Sequence, residues 1–296
     1  MPDTDRPRFR VSRPEWALIG VTALWGATFL IVHIAVQHAG PFFFVGARFL
    51  VAGLASLAVF HRALPGITRR ELGAGAAIGA AIFGGYGLQT LGLQTIPSST
   101  SAFITALYVP LVPLLEWAVF RRPPRLMTWL GVALAFAGLL LLAGLGSGGL
   151  TLGFGELATL ISTAPIAAEV VLIGVFAGRF DLRRLTVVQL FVASALGFAT
   201  MPFAGERIPA FSWAWVVPVL GLGAASCLIQ LTMNWAQKSV TPSRATVIYA
   251  GEPVWGGIVG RLAGDRLPVL SIVGAAFIVA GVIVSEIRPK DEARPD

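Results

Sequence analysis

Charged side chains are scarce in this chain: Asp, Glu, Lys and Arg together supply 12% of its 296 residues, against 56% hydrophobic. A water-soluble globule of that size could not be coated with so few polar groups. Cysteine is almost absent. Cys227 stands alone, which excludes an intrachain disulfide and a cysteine-held metal cluster. There is no Walker loop, no paired-histidine metal motif and no serine nucleophile elbow. Neither nucleotide hydrolysis nor a resident metal or cofactor is therefore expected, and any driving force must come from a gradient. Gly144, Gly146 and Gly149 match the spacing of a dinucleotide-binding loop. They follow no strand, so the mechanism behind that pattern is missing.

What the chain does have is long apolar runs. A helix needs roughly 20 apolar residues to cross a hydrocarbon core of about 30 Å, with every backbone group bonded internally. Ten segments qualify: 15–37, 41–60, 71–93, 97–119, 126–145, 152–176, 185–203, 213–236, 241–262 and 267–287. Their connections are too short for a soluble domain. The first apolar run is too long for a signal-peptide core and lacks an Ala-x-Ala exit, so the first helix is expected to be retained. The expected architecture is an all-α polytopic membrane protein of ten transmembrane helices. Residues 1–14 and 288–296 are tails around a first half, 15–145, and a second half, 152–287.

The net charge of +7 could indicate nucleic acid, but the basic residues sit at alternate loops. One side holds Arg6, Arg8, Arg10, Arg13, Arg62, Arg69, Arg70, Arg121, Arg122, Arg125, Arg179, Arg183, Arg184, Lys238, Arg244, Arg288, Lys290 and Arg294; the other holds Arg207, Arg261 and Arg266. This positive-inside bias places both termini in the cytoplasm. It makes anionic membrane lipids, not nucleic acid, the expected partners of the basic residues. Nothing in the chain fixes an oligomeric state.

The two halves echo each other. Pro110, Gly131, Ala133, Ala137 and Gly138 recur at one constant offset as Pro253, Gly274, Ala276, Ala280 and Gly281. Five helices is an odd number, so a duplicated half would be inserted upside down, giving two inverted five-helix repeats. Polar side chains follow the same partition. Tyr86, Gln89 and Thr90 on helix three answer to Ser226, Gln230 and Asn234 on helix eight. Ser101, Thr105 and Tyr108 on helix four answer to Thr246, Tyr249 and Glu252 on helix nine. Helix one carries Thr22, Trp25 and His33, and helix six Thr159, Ser162 and Glu169. Spacings of three, four or seven put each set on one stripe. Helices one, three, four, six, eight and nine are thus expected around a central path. Helices two, five, seven and ten, nearly barren of polar groups, are expected outside. Gly75/Gly79 and Gly256/Gly260 have the spacing that lets membrane helices approach closely.

Ionisable groups deep in a membrane cost roughly 2.5–3.5 kcal/mol on insertion scales, so each asks for a partner or a task. Glu252 precedes Pro253, whose ring removes a donor from the helical ladder. A carboxylate beside a broken ladder suits a cation or a coupling proton; the competing reading is a cap for the kink. Glu169 shares a stripe with Ser162. Arg48, in helix two, is expected to pair with a buried carboxylate or with helix-end carbonyls. Trp25, Tyr86, Tyr108 and Tyr249 offer rings for stacking or cation–π contact with an organic solute. With Gln89, Thr105, Ser162, Glu169, Gln230, Asn234 and Glu252 they form the candidate binding and coupling set. Arg48, Pro110 and Pro253 form the candidate structural and gating set. The function expected is secondary transport of a small organic solute. A membrane enzyme acting on lipid-linked substrates, or a scaffold or sensor subunit, is the alternative.

Several segments carry a resemblance. Trp25-Gly26-Ala27-Thr28-Phe29, Ala47-Arg48-Phe49, Gly92-Leu93-Gln94-Thr95, Phe103-Ile104-Thr105-Ala106-Leu107-Tyr108, Trp235-Ala236-Gln237-Lys238 and Glu252-Pro253-Val254 resemble the EamA-type permeases of the drug/metabolite transporter superfamily. The resemblance implies a bacterial inner-membrane permease of two inverted repeats, often exporting amino acids or other small metabolites by alternating access. It also implies importance for Trp25, Arg48, Glu252 and Pro253. His33 departs from the pattern, since similar proteins often carry a lysine there.

Overall fold

The computed structural model describes residues 12–121, 126–142, 153–264 and 269–285. The basic residues at 6, 8, 10, 122, 125, 266, 288, 290 and 294, and the Gly144/Gly146/Gly149 triplet, lie outside them. Among the described residues there is no strand, and twelve α-helices run in order: α1 (Arg13–Ala35), α2 (Pro41–Phe60), α3 (Arg69–Gly92), α4 (Ser98–Thr105), α5 (Tyr108–Phe120), α6 (Leu126–Leu142), α7 (Phe154–Phe176), α8 (Leu182–Thr200), α9 (Trp213–Ala236), α10 (Pro242–Tyr249), α11 (Glu252–Leu262) and α12 (Val269–Ser285).

Six stretches are long and apolar enough to cross a membrane: Arg13–Ala35, Pro41–Ala63, Ser98–Val119, Phe154–Phe176, Leu182–Thr200 and Trp213–Ala236. The other expected spans fall short for local reasons. α3 is diluted by glycine, and α10 and α11 are separated by a break; α6 and α12 are each described over 17 residues.

The starts of these helices are written locally. Glu71 closes a capping box on Thr68, accepting from its backbone N–H at 2.8 Å and donating its own N–H to the hydroxyl at 3.2 Å. Asp181 and Ser212 cap α8 and α9 through the N–H groups of Arg183 and Ala214. Pro41 and Pro242 occupy first-turn positions, where a missing donor costs nothing. α2 is capped from far away: Glu206, in the loop after α8, accepts from the backbone N–H groups of Phe42 at 3.0 Å and Phe43 at 2.8 Å.

Two expected continuous helices are each broken in two. Helix four splits at residues 106–107 and helix nine at 250–251, so that α5 begins at Tyr108 and α11 at Glu252. The reason is the proline that follows each break. Pro110 and Pro253 cannot donate to the preceding turn, and Val109 N–H turns instead to Ala106 O at 3.1 Å, Gly251 N–H to Ile248 O at 3.0 Å. Glu252 and Pro253 are therefore first-turn residues of a new helix, not the middle of an old one.

Helix packing is paired throughout. α3 lies on α7 and α8, as α9 lies on α1 and α2; α1 packs on α11, as α7 packs on α5; α4 packs on α11, as α10 packs on α5. α2 faces α8, and α6 faces α12. The largest apolar core joins Leu18, Phe49, Ile78, Val109, Val170 and Leu190.

Glycines set the closest approaches. A Cβ at Gly79 would sit 2.5 Å from the carbonyl oxygen of Gln189 and 2.8 Å from Cβ of Val192, and one at Gly75 would sit 2.7 Å from Cβ of Val188. Gly79→Val should therefore pry α3 from α8 and cost about 1–3 kcal/mol, whereas Gly73→Ala, which meets nothing within 4 Å, should be silent; thermal unfolding in detergent separates the two.

Candidate functional site

The middle of the bundle encloses a small cavity, lined by Trp25 and Thr28 of α1, Tyr86 and Gln89 of α3, Thr105 of α4, Tyr108 of α5, Ile166, Glu169 and Val170 of α7, Met233 of α9 and Glu252 of α11. Its volume is about 20 Å³, room for about one water molecule. An organic solute does not fit without movement of the walls.

The aromatic groups form one interlocked wall. Trp25 Nε1 donates to the Tyr86 hydroxyl at 2.9 Å, and its ring stands edge-on to Tyr249 at 5.1 Å between centroids. Tyr86 in turn stands edge-on to Phe49 at 5.2 Å. Behind it, the Arg48 guanidinium lies 5.1 Å from the Tyr86 ring centre and 5.6 Å from that of Phe49, a cation–π arrangement. Arg48 is 2% exposed, donates from Nε to the Ser226 hydroxyl at 2.7 Å, and leaves Nη2 without a partner among the described residues. The expected pairing with a carboxylate or helix-end carbonyls is not what is found. A hydroxyl on α9 and the rings of Phe49 and Tyr86 take that place.

The two carboxyl groups of the cavity are held differently. Glu252 accepts a long hydrogen bond of 3.4 Å from the Tyr108 hydroxyl, its one donor among the described residues. Its place in the first turn of α11 sets it at the positive end of that helix. Glu169 is the end point of a buried relay. Gln230 Nε2 donates to it at 2.7 Å, Gln189 Nε2 donates to Gln230 at 2.8 Å, and Asn234 Nδ2 donates to Gln189 at 3.2 Å and to the Thr186 hydroxyl at 3.0 Å. Thr186 finally donates to the carbonyl of Leu182, in the first turn of α8, at 2.7 Å. The three amides point the same way, so each bond polarises the next toward Glu169.

Of the residues singled out from sequence, Trp25, Tyr86, Gln89, Thr105, Tyr108, Glu169 and Glu252 meet at this cavity, where Gln89 Nε2 also donates to Thr105 at 3.1 Å. The others do not line it. Gln230 and Asn234 lie behind Glu169 in the relay. Tyr249 backs Trp25 and accepts from Gln237 Nε2 at 3.3 Å. Ser162 spends its hydroxyl on the Thr159 carbonyl at 2.6 Å. Pro110 and Pro253 flank the two helix breaks.

Helices two and seven are not barren, as their composition suggests. α2 brings Arg48 and α8 brings Gln189 and Thr186, all buried. The signal for Gln189 was present as a lone amide in an apolar helix, but its partner is 41 residues away.

Contacts close the bundle on either side of the cavity. Glu15 of α1 pairs with Arg244 of α10 at one end. At the other, His33 Nδ1 lies 2.8 Å from the Leu93 carbonyl, and a Cβ at Gly92 would sit 2.7 Å from the Gly155 carbonyl oxygen.

Comparison with known proteins gives a consistent family. The sequence pattern of the EamA-like transporter family matches residues 13–144 and again 153–286. An uncharacterized transporter of Archaeoglobus fulgidus is 30% identical over 90% of this chain and 84% of its own. The uncharacterized inner membrane transporter YedA of Escherichia coli K12 is 29% identical over 94% of this chain and 92% of its own. A crystal structure with 17% sequence identity superposes with a TM-score of 0.70, covering 97% of this chain and all of the other; at that identity it speaks for the fold.

Proposed function

Because the chain belongs to the EamA-like transporter family, a family of membrane proteins, we propose that it is a secondary permease which carries small organic metabolites by alternating access to the central cavity. The observation that carries this reading is the cavity itself. Two carboxyl groups, three aromatic side chains, a glutamine and two threonines converge in the middle of an apolar bundle, where polar groups are costly unless they serve a pathway. Among the described residues no cationic side chain lines it; this composition favours solutes with an amino group, such as amino acids or amines, which a carboxylate and ring faces can bind together.

In this reading the chain crosses the membrane ten times, as two inverted five-helix repeats, with α4–α5 and α10–α11 each counting as one broken span. The packing supports it. Exchanging the first five spans for the second five turns α3–α7 into α9–α1, α3–α8 into α9–α2, α1–α11 into α7–α5 and α4–α11 into α10–α5, and each of these pairs is in contact. The breaks at 106–107 and 250–251 fall at corresponding places, and the two matches to the family pattern divide the chain at the same point. The loop charges favour both termini on the cytoplasmic side of a bacterial inner membrane, and the resemblance to EamA-type permeases favours export as the direction.

A cavity of about 20 Å³ is an occluded one, since sites for drug-sized ligands run to roughly 300–1,000 Å³. Loading requires one closing layer to part: Glu15–Arg244 on the side we assign to the cytoplasm, or the His33–Leu93 and Gly92–Gly155 contacts on the opposite side. Rocking of one repeat against the other accomplishes this without unfolding either.

The test is a flux screen in proteoliposomes with amino acids, purines, sugars and organic cations under an imposed pH gradient. Gradient-dependent flux of at least one class, absent from empty liposomes, is expected. Correctly folded protein that moves none of them would refute the proposal.

A further inference from the structure

A second site stands apart from the cavity, where the helix ends on the α3 and α8 side meet. A cleft of about 550 Å³ is lined by Thr68, Arg69, Arg70 and Glu71 at the start of α3, by Arg179, Phe180 and Asp181 between α7 and α8, and by Arg184. Its charges are unevenly used. Arg184 is fully engaged: Nε donates to the Ala63 carbonyl at 2.7 Å, Nη2 to that of Pro65 at 2.8 Å, and Nη1 to Glu71 at 3.1 Å. Arg183 is engaged with Asp181, at 2.7 Å from Nη2. That hydrogen bond holds the Asp181 carboxyl down at about 2, so Asp181 stays ionised and spoken for. Arg69, Arg70 and Arg179 remain, exposed and with no partner among the described residues.

This arrangement works against the helices that carry it. Arg69 and Arg70 occupy the first turn of α3, and Arg183 and Arg184 the first turn of α8. Both pairs sit at the positive end of a helix, where cations are disfavoured. α3 and α8 pack on each other, which brings the two like-charged ends together. A general excess of basic loops on one membrane face does not require a cleft, nor arginines in first turns. A bound anion would relieve the repulsion and satisfy the three idle guanidiniums, whose planar forks match phosphate oxygens. Leu72, one residue further into α3 than Glu71, is 44% exposed, so apolar surface begins immediately below the cleft.

We propose that this cleft binds a phosphate group at the membrane surface through Arg69, Arg70 and Arg179, as carried by the headgroup of an acidic phospholipid or by free phosphate. The cleft shares no lining residue with the central cavity.

The test uses the full-length protein, delipidated in a non-ionic detergent. Binding of phosphatidylglycerol, phosphatidylcholine and inorganic phosphate is read by native mass spectrometry and by the thermal shift that ligand binding produces. Phosphatidylglycerol is expected to bind in preference to phosphatidylcholine. Each arginine near an anionic headgroup is worth roughly a fivefold change in affinity, so Arg69→Gln/Arg70→Gln/Arg179→Gln should weaken it about 100-fold, while Arg207→Gln, at the opposite end of α8, should leave it unchanged. Inorganic phosphate that stabilises the wild type and not the triple variant would identify the free anion as the source and support the same site. Should the triple variant not fold, Arg179→Gln, which lies outside any helix, is expected to lose about fivefold on its own. Full retention of phosphatidylglycerol binding by the folded variants, or equal loss with Arg207→Gln, would overturn the proposal.

Discussion

Glu252→Gln is expected to abolish gradient-driven flux while leaving the protein folded. Glu252 is 6% exposed, lines the cavity and has, among the described residues, a single weak donor in Tyr108. An amide of the same shape therefore disturbs little of the packing. What it removes is a site that can carry a negative charge or a proton. A charge-assisted hydrogen bond is worth roughly 1.5–3 kcal/mol, so affinity for an amino-bearing solute should fall about 10- to 100-fold. Response to a pH gradient should be lost altogether if this carboxyl group exchanges a proton for the solute. The comparison with Glu169→Gln is informative, because Glu169 is tied into the relay. Wild-type flux and pH response in both variants would remove proton coupling and the carboxylates from the mechanism together.

The second large effect is expected at Gln230. Gln230→Leu withdraws the donor from Glu169 and the acceptor from Gln189 in one step. Both groups are buried, and a buried polar group left unpaired costs roughly 1–3 kcal/mol, so a total of about 2–6 kcal/mol is expected from two such groups. Thermal or chemical unfolding in detergent would read it. Removing both partners is milder than removing one. Glu169→Met/Gln230→Leu should accordingly recover part of the loss, but not all, since the Gln189 amide is still stranded. If the single and double variants unfold alike, the relay does not act as a unit.

Much of this arrangement is legible in the sequence, and the missing parts have physical reasons. Apolar runs and turn residues locate the helices because a membrane forces each span to satisfy its own backbone. The stripes Trp25, Tyr86–Gln89 and Thr105–Tyr108 are readable for the same reason: polar groups at spacings of three or four in an apolar helix must share a face. The breaks at 106–107 and 250–251 are not readable as breaks, because a proline is compatible with both a kink and a new helix start. The relay is also hidden. Gln189, Gln230 and Glu169 lie on three helices, and nothing in the α8 sequence states that the partner of its lone amide is an amide on α9. Arg48 misleads for a related reason: a buried cation suggests a carboxylate, but stacked rings and a hydroxyl supply an alternative that only the packing of α2 on α9 reveals.

The closed cavity is expected to open to each side of the membrane in turn, which cysteine accessibility can read. In a Cys227→Ser background, a cysteine replacing Val170, which lines the cavity and is 1% exposed, is treated with a membrane-impermeant maleimide from either side of sealed vesicles. A cysteine replacing Ile78, buried in the apolar core and away from the cavity, serves as the control. Val170→Cys is expected to react from both sides, and a transported solute to raise the rate from one side while lowering it from the other. Reaction no faster than at Ile78→Cys, from either side and with or without solute, would contradict it.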